Sequence, residues 1–287
     1  MESWITLSII SGTLVGLSNF ISKVSAHNGF NKDRIIFFGN IVYLLFSSVY
    51  LILNYKYVEV SFILFLLITL RIIAALQKNI FIIDSLKYIE SGLFFPIFKI
   101  IYIFSSFIIG MLLFDEYLGI TEHLAIFLGI LMIILLSNKD EKKKQINYRK
   151  GIIYLLLANF ALLFSSSINK YIASIDFDLP TYLFYSSVIG CVYLIFTKRG
   201  IYKKSTNEQI LRELKYGLIR GFFIYFGFIS IILAYKEGPL VLVGMISSIA
   251  ILIPIVLSII FYKEKLTINK ILAFILFIII IIILAIF

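Results

Sequence analysis

Ser18-Asn19-Phe20-Ile21-Ser22-Lys23 and Ser165-Ser166-Ser167-Ile168-Asn169-Lys170 are two versions of one hexapeptide, 147 residues apart in a chain of 287. Aligned without a gap, their first serine, their isoleucine and their lysine coincide. Other markers recur in the same order with shifts of one or two residues. Arg71 answers to Arg220, Glu90 to Glu237, and the pair Glu116 and Thr121 to Glu264 and Thr267. Self-similarity at one fixed spacing is the mark of an internal repeat, so the spacing predicts two copies of one unit.

The unit is made of apolar blocks. Hydrophobic residues form 61% of the chain, well above the roughly 45–50% of soluble domains, and the mean hydropathy is +1.03. A bilayer core about 30 Å thick takes roughly 20 apolar residues of helix, because backbone groups in lipid must be satisfied inside the segment. Blocks of that size fall at 4–26, 34–54, 60–83, 91–113, 120–137, 150–172, 180–197, 213–235, 238–262 and 268–287. The expected fold is all-α and polytopic, with ten transmembrane helices. The expected division is a first repeat at 1–137, a basic linker at 138–149 and a second repeat at 150–287. Five spans per copy is an odd number, so the copies enter the membrane in opposite directions. Inverted repeats of this kind are the building plan of many secondary transporters.

Composition also excludes function classes. The longest polar stretches, Ser137–Lys150 and Lys198–Lys215, are too short to bury a core of their own. Met1-Glu2-Ser3-Trp4 brings no basic residue before the first apolar block, so no cleaved signal peptide is expected. The single cysteine, Cys191, allows no intrachain disulfide and reads as apolar filler. His27 and His123 lie at span boundaries without a ligand partner at metal spacing, so no metal site is expected. Phosphate-binding loops and nucleophile elbows are absent as patterns, so neither an enzyme nor a cofactor is expected.

The formal net charge of +10 comes mostly from two loops, six Lys/Arg within Asn138–Lys150 and six within Lys198–Lys215, each against two acids. Nucleic acid is not an expected partner. Both loops follow odd-numbered spans, so the positive-inside rule puts them in the cytoplasm and both termini outside.

Ionisable groups inside spans are costly and mark function unless they snorkel to a headgroup. Arg71 falls near the centre of its span, and Lys99, in Phe95-Pro96-Ile97-Phe98-Lys99, about two turns from an end. Lys23, Lys78, Lys170 and Arg220 lie nearer the ends, where snorkelling is the default. The acids Asp84, Glu90, Glu116, Asp176, Asp178, Glu237 and Glu264 sit at span ends, so the interior is cationic and suits a carboxylate or phosphate. Asn19, Asn159 and Asn169 need partners inside the membrane, either substrate or a neighbouring helix.

Phe114-Asp115-Glu116-Tyr117-Leu118-Gly119-Ile120-Thr121 and Tyr262-Lys263-Glu264-Lys265-Leu266-Thr267 resemble the end-of-repeat signature of EamA-type proteins, in the drug/metabolite transporter superfamily. Gly238-Pro239, Pro254, the Ser18–Lys23 region and Arg71 extend the likeness over nearly the whole chain. The first repeat departs in having Ser105-Ser106 where the second has Pro254, and in two extra residues in its glutamate motif. The resemblance implies a ten-helix carrier with a central cavity between the repeats. It also implies termini in the cytoplasm, opposite to the loop charges.

The expected function is secondary transport of a small anionic or zwitterionic metabolite, such as an amino acid, in a multi-pass protein of the cell membrane. Arg71 and Lys99 are the expected anion contacts, with Asn19, Lys23, Asn169 and Lys170 lining the repeat interface. The partners are the small-molecule substrate and membrane lipid; a coupling ion, and a monomeric or homodimeric state, are left open. A flippase for a lipid-linked phosphate would use the same cations, and a non-transporting scaffold would need none of them.

Overall fold

All ten apolar blocks are helical in the computed structural model, which describes residues 2–54, 60–86, 88–89, 91–135, 148–203, 205–263 and 267–286. The helices are α1 Ser3–His27, α2 Lys32–Leu53, α3 Phe62–Leu86, α4 Ser91–Phe114, α5 Ile120–Leu135, α6 Tyr148–Ser174, α7 Leu179–Thr197 and α8 Asn207–Glu237. The ninth block is split into α9, Leu240–Ile246, and α10, Leu252–Tyr262, and α11 is Ile268–Ile286. No strand occurs among the described residues. Among the described residues seven helices are long and apolar enough to cross a membrane, and three shorter apolar helices accompany them. Most of the 138–149 linker, and with it Glu90 and Glu264, lies outside the described residues.

Two elements differ from the sequence expectation. The eighth helix starts at Asn207 rather than near residue 213, inside the stretch read as a polar loop. Thr206 caps it by accepting from the Gln209 amide at 3.3 Å, and Glu208 pairs with Arg212 one turn on. The ninth span is not one helix, because a 3₁₀ segment, Ser247–Ile251, interrupts it. Pro254 stands just past the break. It has no N–H, and its ring crowds the carbonyl four residues back, at Ala250. The Ser247 and Ser248 hydroxyls both donate to the Gly244 carbonyl, giving the interrupted backbone local partners.

The most extensive helix contacts are α1 along α8 and α3 along α6; α2 packs on both α7 and α8, and α5 on α11. Small residues set the closest approach. Gly217 and Gly221, one turn apart on α8, face Gly39 of α2, and a Cβ at Gly221 would stand 2.4 Å from the Gly39 carbonyl oxygen. With no hydrophobic drive between helices in lipid, backbone proximity of this kind is a main source of cohesion.

Tertiary bonds define two ends of the bundle. At one, Asn31 caps α2, its amide N–H donates to Glu213 at 2.8 Å, and its side chain donates to the Gly200 carbonyl at 2.7 Å. Arg34 meets Glu213 at 2.9 Å and also donates to the Lys203 carbonyl and the Ser205 hydroxyl. Glu213, which the sequence suggests is a loop acid, is fully buried. At the opposite end Trp4 packs on Gly238, and Ser3 donates to Glu237. The described residues of the second basic stretch, Lys198–Lys215, therefore lie at the Glu213 end and the start of α1 at the Trp4 end.

Replacing Gly221 by alanine should force α2 and α8 apart at a cost of about 1–3 kcal/mol. Thermal unfolding of the purified protein checks this, with Gly119→Ala as control, since a Cβ there meets nothing nearer than 3.6 Å.

Candidate functional site

A cavity of about 850 Å³ lies between the helices of the two sequence halves. Its wall takes residues from α1 and α3 on one side, from α6 and α8 on the other, and from α4 and the broken ninth span. Polar residues at its mouth, Asn19 and Asn79, are exposed, whereas Tyr102, Tyr235 and Gly244 at its floor are buried. The mouth is toward the Glu213 end, because α2 starts from that end and α3 returns to it, with Asn79 in its last turns, where Ser85 donates to the Gly151 carbonyl near the start of α6. The floor is toward the Trp4 end.

Helix α3 supplies Arg71, Ala75, Lys78 and Ile82 to the wall. These fall at steps of four, three and four residues, which is one face of an α-helix. Arg71 sits deepest. Its guanidinium carbon lies 4.2 Å from the centre of the Phe228 ring and 5.9 Å from that of Tyr182, and its Nε is buried without a hydrogen-bond partner. The aromatic faces offset part of the cost of burying the charge. Lys99, from α4, lies 5.8 Å from the Tyr102 ring and within electrostatic range of Lys78. Arg220 adds a further cation near Lys78 and donates to the Ser22 hydroxyl at 3.1 Å. Among the described lining residues Arg71, Lys78 and Lys99 carry full charges and none is a carboxylate.

Four of the six residues singled out from sequence, Asn19, Arg71, Lys99 and Asn169, line this cavity. Asn169 is oriented by the Tyr182 hydroxyl, which donates to its Oδ1 at 2.6 Å. The side chain of Lys23 lies outside what is described. Lys170 is elsewhere: its Nζ meets Glu116 Oε1 at 2.9 Å and donates to the Gly238 carbonyl at 2.8 Å, and it does not line the cavity. Its charge serves a tie between helix ends rather than a wall. Glu116 Oε2 accepts from the Leu240 amide at 2.8 Å, so this carboxylate caps α9 in the other half of the chain. Asn159 donates to the Phe98 carbonyl, a link from α6 to α4 and not a wall contact.

Sequence reading missed Lys78 as a wall residue. The seven-residue step from Arg71 could have found it, since both then share a helix face. Tyr102, Phe228 and Tyr235 gave no such signal, because aromatics are too frequent in this chain, with 28 Phe and 18 Tyr, for any one to stand out.

Removing one partner of the Lys170–Glu116 pair, as Lys170→Met or Glu116→Gln, should cost about 3–5 kcal/mol by stranding a buried charge or its acceptors. The double variant should cost clearly less than the sum, and a double-mutant cycle of thermal unfolding reads the difference.

Residues 149–286 match the EamA-like transporter family. A solved structure described as "Crystal structure of protein" superposes with a TM-score of 0.72 at 10% sequence identity, covering 98% of this chain and 98% of that one, which shows a shared fold. No curated protein matches the chain. The chain is therefore an integral, multi-pass membrane protein whose second half is an EamA domain, of the drug/metabolite transporter superfamily.

Proposed function

We propose that this protein is a secondary transporter that carries a small anionic or zwitterionic metabolite by alternating access. The observation that carries the reading is the cationic cavity: Arg71, Lys78 and Lys99 line it, and no described lining residue is acidic. Burying cations without counter-charges is unfavourable, and an anionic substrate supplies the missing charge.

Three further features support the carrier reading. The α1–α8 contact has its counterpart in α3–α6, while α2–α7 and α5–α11 pair like with like, the pattern that two inverted five-helix repeats, 1–137 and 150–287, would produce. The interrupted ninth span borders the cavity with Gly244, Ser247, Ala250 and Pro254, and irregular backbone at membrane depth is tolerated where it lines such a space. The floor is closed by the Lys170–Glu116 pair while the mouth is open, as alternating access requires of one of its two states. The charge rule puts the mouth on the cytoplasmic face, together with both basic loops.

Arg71→Ala should abolish substrate uptake into proteoliposomes while the variant still inserts and elutes as a single species. Uptake at the normal rate in that variant would refute the assignment of Arg71 as an anion contact.

A further inference from the structure

The cavity's charge is not spread evenly but is gathered at two depths, and that arrangement narrows the substrate. Arg71 and Lys78 are seven residues apart on the face that α3 turns to the cavity, so they stand about 10 Å apart along the helix axis. Lys78 is eight residues before the end of α3, and Lys99 is eight residues after the start of α4. The two helices are successive and joined by a short link, so Lys78 and Lys99 stand at about one depth on the cavity wall. Between Lys78 and Arg71 on the cavity face of α3 stands Ala75, small and apolar.

The deep station has the features of a binding group. The Arg71 guanidinium is fixed against Phe228, and its buried Nε has no partner among the protein's own atoms. A buried donor left unpaired costs free energy that an incoming acceptor would recover. The shallow station holds Lys78 and Lys99 on the wall, with Arg220 a further cation near Lys78, and a second anionic group would offset this gathering of like charge.

Resting on the anion-carrier reading above, we infer that the substrate is a dicarboxylate with its charges separated, one carboxylate on Arg71 and the other between Lys78 and Lys99, joined by a short apolar chain. A zwitterionic amino acid fits less well, because its ammonium group would enter a cavity with no described acidic wall residue.

Binding of succinate, adipate and suberate to the purified full-length protein, set against butyrate, hexanoate and methyl phosphate, tests this by calorimetry. Adipate or suberate should bind at least about tenfold more tightly than hexanoate, the weight of one extra charge-assisted contact. Lys78→Gln and Lys99→Gln, each verified as a single eluting species, should each lower adipate affinity about tenfold and leave hexanoate affinity within about twofold. Equal binding of adipate and hexanoate, or tighter binding of methyl phosphate than of any dicarboxylate, would overturn the two-station assignment while leaving anion transport standing. Loss of adipate binding in neither lysine variant would overturn it too. If no anion binds and an organic cation such as tetraethylammonium does, the carrier reading itself falls with it.

Discussion

The ion pair between Lys170 and Glu116 is the constraint on which the cavity's shape depends. It joins the end of α6 to the link between α4 and α5, and through the Gly238 carbonyl and the Leu240 amide it gathers the start of α9 to the same point. Three segments from both halves of the chain thus meet at one buried carboxylate. The meeting lies at the Trp4 end, the same end as the buried floor residues Tyr102 and Tyr235. An ion pair is suited to this role because it is costly to break by halves yet can be exchanged for hydration when both partners are exposed together.

The cavity inverts the usual logic of a membrane interior. Where α2 meets α8 the buried charge is matched, for Arg34 pairs with Glu213 and its Nη2 donates to the Lys203 carbonyl and the Ser205 hydroxyl. In the cavity the cations have aromatic faces, Phe228 under Arg71 and Tyr102 near Lys99, but no described carboxylate on the wall. Aromatic contacts offset only a part of the burial cost. The cavity thus gathers cations on a wall without a described carboxylate, within a helical frame in which α2 and α8 approach closely at Gly39 and Gly221.

The helices were legible in the sequence because lipid imposes length and apolarity on a span; all ten blocks are helical, and seven of the described helices meet both constraints while three are shorter. What was not legible depended on contacts between distant segments. The lysine repeat at 23 and 170 pointed to a functional pair, but sequence shows a charge and not its partner, so the engagement of Lys170 by Glu116 and the α9 start was hidden. Pro254 advertised a disturbed ninth span without saying that the break falls ahead of it, at Ser247–Ile251. The early start of α8 was written in Thr206, Glu208 and Arg212, local signals outweighed by the polarity of the stretch. Within the cavity, Arg71, Lys99, Asn19 and Asn169 could be found because each is polar where polarity is costly, and Lys78 was passed over because its nearness to a helix end made snorkelling the simpler account.

The central claim is that one cavity is reached from one membrane face at a time. Its most direct measurement is labelling of Ala75→Cys, between Arg71 and Lys78 on the wall, in a Cys191→Ser background, by a membrane-impermeant maleimide applied to either face of oriented vesicles. The account predicts rapid labelling from the face of the basic loops and protection from the opposite face, where Lys170 and Glu116 close the floor. Equal labelling from both faces at rest, or labelling only from the face of the Lys170–Glu116 pair, would contradict it.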